Sequence, residues 1–299
     1  MKDNKANKGI ALAVLAAALY AISAPFSKLL LNRVPATLMA GLLYVGAGMG
    51  MAAVAALRRI KASKNENNRF SGKDMPYVIG MIVLDIAAPI CLMLGLGNTT
   101  AANASLLNNF EIVATALIAL FVFKENISPR LWAGIAFVTV SCAMLSFEDM
   151  SSFKFSGGSL LVILAAALWG LENNCTRKLS EGDPLKIVVL KGIFSGTGSL
   201  IIGFCIGERV AAPEYIPAVL MLGFIAYGLS IFLYVHAQRI LGAARTSAYY
   251  AVAPFIAAAL SLVILNERPA PTYFAALVLM AAGAWLSSGD KPVFKKRNK

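Results

Sequence analysis

The chain has 299 residues, of which 59% are apolar and only 14% are charged, and its formal net charge is +12 at pH 7. Soluble domains are about half apolar and about a quarter charged, so the composition excludes an ordinary soluble protein and indicates a membrane protein. The positive charge alone would fit a nucleic-acid partner, but the placement of the basic residues explains it without nucleic acid.

Apolar stretches close to the roughly 20 residues that cross a hydrocarbon core of about 30 Å recur along the whole chain. We place them at 9–31, 36–57, 76–96, 102–123, 131–147, 158–178, 185–206, 215–237, 243–265 and 272–288. The first stretch follows a Lys-bearing start like a signal peptide, but nine further stretches favour an uncleaved helix. The sequence therefore predicts an all-α integral membrane protein with ten transmembrane helices.

The basic residues define an orientation. With ten helices and a cytoplasmic N-terminus, 21 basic residues fall on the cytoplasmic side and 5 on the other, while Lys191 lies inside a stretch. This bias follows the positive-inside rule, and the basic loops would lie against anionic lipid head groups. An odd number of helices would scatter the basic residues over both faces, so we expect both termini in the cytoplasm.

The two halves of the chain resemble each other. The segment Leu-Ala-Ala-Ala-Leu is followed by Tyr20 and again by Trp169, and Glu125-x-x-x-Pro returns 142 positions later at Glu267. We therefore predict a five-helix repeat over 1–148 and a second over 149–299. Five helices per repeat require the second to insert upside down, with Glu125 and Glu267 on opposite sides. Inverted repeats are a structural route to alternating access.

Polar and aromatic residues inside the stretches are candidates for a binding site, because an ionisable residue at the bilayer centre costs about 2.5–3.5 kcal/mol and needs protein or water around it. Several share one helical face, as Trp169, Glu172 and Asn173 do. The candidate substrate-binding residues are Tyr20, Ser23, Asp85, Asn108, Trp169, Glu172, Asn173, Tyr227, Tyr234 and Tyr250. The candidate hinges are Pro25, Pro89 and Pro254, because proline removes a backbone donor.

Other roles stay open for these side chains. Tyr and Trp also form belts at membrane interfaces, and Asn, Ser and Thr also join helices by hydrogen bonds. Glu111 has the alternative of pairing with Asn108 or Asn109. Lys191 and His236 lie near predicted cytoplasmic helix ends, where we expect them to reach the interface.

The segments Ala101 to Ser105 and Ala243 to Ser247, with Pro254 and Glu267, resemble the drug/metabolite transporter superfamily, in particular its ten-helix EamA-type members. The resemblance covers nearly the whole chain. The usual family pattern is a Pro followed about a dozen residues later by Gly-Glu; Pro254 and Glu267 keep it. The departures are Ile112 at the first-half Pro position and Lys124 and Asn266 at the Gly positions.

The resemblance implies a secondary transporter in a bacterial inner membrane, with a cavity between the first, third, fourth, sixth, eighth and ninth helices. Within the superfamily the aromatic amino acid exporters are most similar, so we expect export of amino acids, aromatic and other apolar ones favoured. Efflux of organic cations is the alternative, with carboxylates and aromatic rings attracting the cation.

Enzyme chemistry is not expected, since the chain has one His and neither HExxH nor GxSxG. Direct ATP drive is disfavoured because no P-loop is present. The four cysteines are spaced by dozens of residues, which predicts neither a metal site nor a cofactor. Proton coupling and uniport both stay open, as does the oligomeric state, for which a monomer suffices.

Overall fold

The computed structural model describes residues 2–61, 72, 74–123, 128–149, 154–179, 184–241, 246 and 249–288. Helices dominate this part of the chain. In the first half they are α1 (Lys2–Ala21), α2 (Ser23–Leu30), α3 (Ala36–Lys61), α4 (Met75–Gly97), α5 (Ala101–Leu107), α6 (Phe110–Phe123) and α7 (Pro129–Ser146).

The second half begins after a short antiparallel hairpin, β1 (Phe147–Asp149) with β2 (Lys154–Phe155), which the sequence did not predict. Its helices are α8 (Gly157–Leu179), α9 (Pro184–Leu190), α10 (Gly196–Cys205), α11 (Ile216–Leu222), α12 (Ser230–Leu241), α13 (Ala253–Ile264) and α14 (Pro271–Ser288). A π-helical segment, Lys191–Ser195, joins α9 to α10, and a second, Gly223–Leu229, joins α11 to α12. A 3₁₀ turn, Pro213–Tyr215, precedes α11.

Within the described residues, seven helical segments are long and apolar enough to cross a membrane. They are Ala6–Leu30, Ala36–Leu57, Met75–Gly97, Pro129–Ser146, Gly157–Thr176, Leu185–Cys205 and Pro213–Tyr234. Each falls on one of the predicted stretches. The remaining three stretches contain shorter apolar helices, namely α6 with 14 residues, α13 with 12 and the apolar part of α14, Pro271–Ser287. The prediction of a multi-pass helical membrane protein is therefore confirmed.

The surface of the molecule is that of a protein in lipid. Large apolar side chains such as Phe121, Val263 and Trp285 are 73%, 76% and 67% exposed, whereas Asp85 and Glu172 are buried. A water-soluble protein places its carboxylates outside and its large apolar side chains inside. The apolar exterior therefore faces a hydrocarbon solvent, and the polar groups lie between the helices.

Three of the predicted helices are interrupted within the described residues, the ninth of them at Ala251 and Val252 just before α13. The first breaks at Ile22 between α1 and α2, where Pro25 has no backbone N–H to donate to the carbonyl of Ala21. The fourth breaks at Asn108 and Asn109 between α5 and α6. By contrast, α4 continues through Pro89 without interruption, and Pro254 is the second residue of α13, where proline is tolerated.

Close helix packing arises from glycines. A Cβ on Gly192 would collide with the backbone of Gly48 in α3, and a Cβ on Gly223 would collide with the carbonyl of Leu43. Small residues let backbones approach in membranes, where packing rather than water exclusion holds helices together. Both π-helical segments are thereby held against α3. The other main contacts join α4 to α8, α1 to α12 and α7 to α14.

Candidate functional site

A buried charged cluster joins three helical elements inside the molecule. The Lys191 Nζ atom lies 3.0 Å from Asp85 Oδ2 and 2.9 Å from Glu172 Oε1. Asp85 belongs to α4 and Glu172 to α8, and their side chains are 0% and 2% exposed, while Lys191 opens the first π-helical segment and is 16% exposed. Two predicted site residues are therefore neighbours, bridged by a lysine that was not among the candidates.

The expectation that Lys191 reaches the membrane interface is wrong. Its ammonium points inward to two carboxylates instead of outward to lipid head groups. The sequence did contain a signal, because an ionisable residue inside an apolar stretch is by default a candidate for function.

Uncharged side chains also donate hydrogen bonds to the two carboxylates. The Tyr44 hydroxyl donates to Asp85 Oδ1 over 3.1 Å, and the Trp169 Nε1 donates to the Tyr44 oxygen over 3.4 Å. The Thr176 hydroxyl donates to Glu172 Oε1. Tyr44 was missed by sequence reasoning, because it lies on the second predicted helix, which the family resemblance does not place at the cavity.

A group of tyrosines lies beside this cluster. The Tyr227 ring is 5.6 Å from the Tyr44 ring and 5.8 Å from the Tyr20 ring, measured between centroids. Tyr250 is 6.1 Å from Tyr20 and 4.8 Å from Tyr234. These distances are those of interacting aromatic pairs. The tyrosines therefore form one continuous aromatic surface, which we call the tyrosine cluster.

A small cavity of about 20 Å³ adjoins the tyrosine cluster. Predicted residues that line it are Tyr20, Ser23, Asn108, Tyr227 and Pro254. The rest of its wall is mainly apolar and small, with side chains from α4, α5 and α13. An apolar cavity with a few polar groups is the usual form of a small-molecule site.

Asn108 brings hydrogen-bonding capacity to the cavity. Its Nδ2 donates to the Tyr20 hydroxyl over 3.2 Å, whereas its Oδ1 is buried and accepts no hydrogen bond from the described residues. A buried acceptor without a donor costs free energy, which a ligand donor would recover. Nearby, Glu111 accepts from Asn173 Nδ2 over 2.5 Å, so the structure pairs Glu111 with a residue of α8.

The ten predicted site residues thus lie in one connected region. Asp85 and Glu172 belong to the charged cluster, and Trp169 is connected to it through Tyr44. The predicted tyrosines belong to the tyrosine cluster. Their role in binding a substrate stays a prediction. Within the described ranges, no three His, Cys, Asp or Glu side chains converge as ligands of a metal ion would.

Comparison with known proteins gives a family match. The model of the EamA-like transporter family matches residues 7–147 and again 156–289. An uncharacterized transporter of Methanothermobacter thermautotrophicus is 26% identical over 270 residues, which cover 85% of this chain and 78% of that protein. The uncharacterized transporter YyaM of Bacillus subtilis is 22% identical over 215 residues, covering 69% and 68%. One crystal structure superposes with a TM-score of 0.66 at 16% identity over 95% of both chains, which supports the fold.

Proposed function

This chain belongs to the EamA-like transporter family, and from that premise we propose that it exports amino acids, with aromatic and other apolar ones favoured. The observation that carries the proposal is the cavity beside the tyrosine cluster. Aromatic rings at 5.6–6.1 Å from one another offer stacking surface for an apolar side chain. The features that resemble the bacterial aromatic amino acid exporter YddG point to the same substrates.

The polar end of an amino acid has complementary groups in the same place. The free Asn108 Oδ1 accepts from a substrate ammonium, and Ser23 provides a hydroxyl at the cavity wall. The paired Glu111 and Asn173 add negative charge behind this position. A zwitterion with an apolar side chain therefore matches both parts of the cavity.

We further propose that ten helices form two inverted five-helix repeats and that these move by alternating access. The family model matches the chain twice, at 7–147 and 156–289, which supports a repeat. The helix packing also supports a repeat. In the proposed repeat α1 corresponds to α8 and α4 to α12, so the contact of α4 with α8 is equivalent to the contact of α12 with α1. Glu125, which would correspond to Glu267, lies outside the described residues.

The proposed location is a bacterial inner membrane with both termini in the cytoplasm. The excess of basic residues in the loops assigned to that side supports it. Substrate would enter from the cytoplasm and leave on the opposite side.

Efflux of organic cations is a second candidate, favoured by the buried carboxylates of Asp85 and Glu172 and the half-buried carboxylate of Glu111 near the tyrosines. Carboxylates and aromatic faces together attract a desolvated cation. This candidate differs from amino acid export because it requires no recognition of a carboxylate on the substrate.

Counterflow in proteoliposomes separates the two candidates. Vesicles loaded with unlabelled phenylalanine should take up labelled phenylalanine faster than protein-free vesicles. External tryptophan and leucine should compete with it, whereas glutamate should not. If tetraphenylphosphonium exchanges and phenylalanine does not, cation efflux is the function. If neither exchanges, both proposals are wrong.

A further inference from the structure

We propose that Asp85, Glu172 and Lys191 form a proton-binding site that couples transport to the proton gradient, and that Tyr44 connects this site to the substrate cavity. The inference rests on the proposed transport function and adds its energy source. Proton coupling and uniport are equally compatible with the sequence, so the geometry of the cluster decides between them.

The first step of the argument is the charge balance of the cluster. Two carboxylates share the single ammonium of Lys191, at 3.0 and 2.9 Å. When both carboxylates are ionised, the cluster carries one excess negative charge away from water. A buried excess charge is costly, and one proton on either carboxylate removes it.

The second step identifies the carboxylate that takes the proton. Glu172 Oε1 accepts from both Lys191 and Thr176, and Asp85 Oδ1 accepts from Tyr44. Asp85 Oδ2 is fully buried and accepts no hydrogen bond from the described residues, although the Lys191 ammonium attracts it at 3.0 Å. Among the described residues Asp85 therefore accepts fewer hydrogen bonds than Glu172, and it is the carboxylate that takes the proton.

The third step concerns the other titratable groups that face Asp85 and Glu172. Besides Lys191 and Tyr44, Glu111 lies within electrostatic reach of Glu172 and Lys191, and Cys175 lies within reach of Glu172. Glu111 adds further negative charge, and neither it nor Cys175 supplies a cation. These neighbours therefore make the excess negative charge of the cluster more costly, which favours protonation of a carboxylate.

The fourth step is the connection to the cavity. Tyr44 donates to Asp85 Oδ1, and its ring lies 5.6 Å from the ring of Tyr227, which lines the cavity. Lys191 and Tyr227 both lie in π-helical segments that pack against α3, the helix of Tyr44. π-helical turns are frequent at functional sites. A substrate that packs against Tyr227 and holds the Tyr44 hydroxyl on Asp85 therefore favours the ionised carboxylate.

Substrate and proton then cross the membrane in opposite directions, as in an antiporter. With substrate bound, Tyr44 donates to Asp85 and stabilises the ionised carboxylate. With substrate released, a proton from the facing compartment binds the Asp85 carboxylate and crosses with the empty cavity. It leaves to water on the other side, so each cycle exchanges one proton for one substrate molecule.

Net uptake into proteoliposomes tests this exchange. With the lumen about one pH unit more acidic than the bath and the voltage clamped at zero, one-for-one exchange should concentrate labelled phenylalanine several-fold, towards about tenfold at equilibrium. Pyranine in the lumen should report alkalinisation that depends on phenylalanine. A sodium gradient of the same size at equal pH should concentrate nothing.

The Asp85→Asn variant should lose gradient-driven accumulation, so that accumulation falls several-fold relative to the variant's own counterflow rate at equal pH. Glu214→Gln, at an exposed carboxylate outside the cluster, is the matched control and should behave like the wild type. If Asp85→Asn does not fold, Tyr44→Phe serves instead. It should shift the pH of half-maximal counterflow upwards, because the ionised carboxylate loses a donor.

The outcomes separate this inference from the proposed function. Counterflow without any response to the pH gradient overturns proton coupling and leaves transport intact, as does sodium-driven accumulation. Gradient-driven accumulation by Asp85→Asn, or an unchanged pH profile of Tyr44→Phe, overturns the assigned site. Absence of phenylalanine counterflow contradicts the proposed amino acid transport itself.

Discussion

Tyr20 contacts several parts of the candidate site. Its ring contacts those of Tyr227 and Tyr250, and its hydroxyl accepts from Asn108. Tyr20 also lines the cavity. Its ring and its hydroxyl have different partners, so their effects can be separated. The ring supplies contact with the substrate, whereas the hydroxyl orients the Asn108 amide.

We expect Tyr20→Leu to weaken phenylalanine binding by about 0.5–1.5 kcal/mol, or about two- to twelvefold, because the aromatic contact is lost. Leucine should be affected less than phenylalanine. Inhibition constants from counterflow competition measure both. Tyr77→Leu, near the start of α4 and outside the cavity, is the control. Equal losses for phenylalanine and leucine would contradict the stacking role.

The backbone conformation of Asn266 explains how asparagine can stand at a Gly position of the family pattern. Its φ is +50°, in the left-handed region, directly after α13 ends. Glycine is the residue that adopts this region most readily and asparagine is the next, so asparagine at the family's Gly position keeps the backbone geometry. The turn directs Glu267 to the start of α5, where its two oxygens accept from the amides of Ala101 at 2.7 Å and Ala102 at 2.9 Å.

Substitutions at Asn266 should therefore depend on backbone freedom. We expect Asn266→Ala to lower the unfolding free energy by about 1 kcal/mol, because a β-carbon is strained at this φ. Asn266→Gly should stay close to the wild type. The apparent melting temperatures of the purified variants in one detergent measure the difference. An alanine variant as stable as the glycine variant would contradict this explanation.

At the residue scale, the sequence predicted which side chains face inward but not which of them meet. Helical spacing places Trp169 and Glu172 on one face, and both are buried. It contains no information on the approach of Lys191 to Asp85, because that distance depends on packing between separate helices. Tyr44 was missed for the same reason, since its neighbours Asp85 and Trp169 belong to other helices.

At the scale of the elements, hydropathy predicted the positions of the helices but not their interruptions. Apolarity continues through Ile22 and through the π-helical segments, so a hydropathy pattern cannot detect them. The break at Ile22 has a local cause in Pro25, which the sequence predicted as a hinge. The π-helical segments depend on their packing against α3, which is a property of the folded protein.

The contact between α3 and the first π-helical segment gives a prediction about stability. Gly192→Ala should destabilise the protein by about 1–3 kcal/mol, because its Cβ would collide with the backbone of Gly48 and force the helices apart. Gly157→Ala is the control, since a Cβ at the start of α8 meets no atom within 4 Å. Thermal unfolding in detergent measures both.

The same pair of variants reports on the site. Separation of the π-helical segment from α3 would move Lys191 away from Asp85, so Gly192→Ala should also reduce gradient-driven uptake more than counterflow. If Gly192→Ala is as stable as Gly157→Ala, the close approach of these helices is wrong.

At the scale of the whole molecule, the proposed inverted repeat assigns equivalent positions to opposite sides of the membrane. Arg130, near the start of α7, and Thr272, near the start of α14, are 142 positions apart and both exposed. Each is the second residue of the last helix of its half. A repeat inserted in parallel would place both on one side, whereas an inverted repeat separates them.

Single cysteines at these two positions test the topology in cells. The background replaces Cys91, Cys142, Cys175 and Cys205 by alanine, and counterflow must show that it still transports. A membrane-impermeant maleimide should label Thr272→Cys in intact cells, but Arg130→Cys only after the membrane is opened, because the positive-inside rule assigns Arg130 to the cytoplasm. Labelling of both in intact cells, or of neither, would remove the inverted symmetry and with it the physical basis for alternating access.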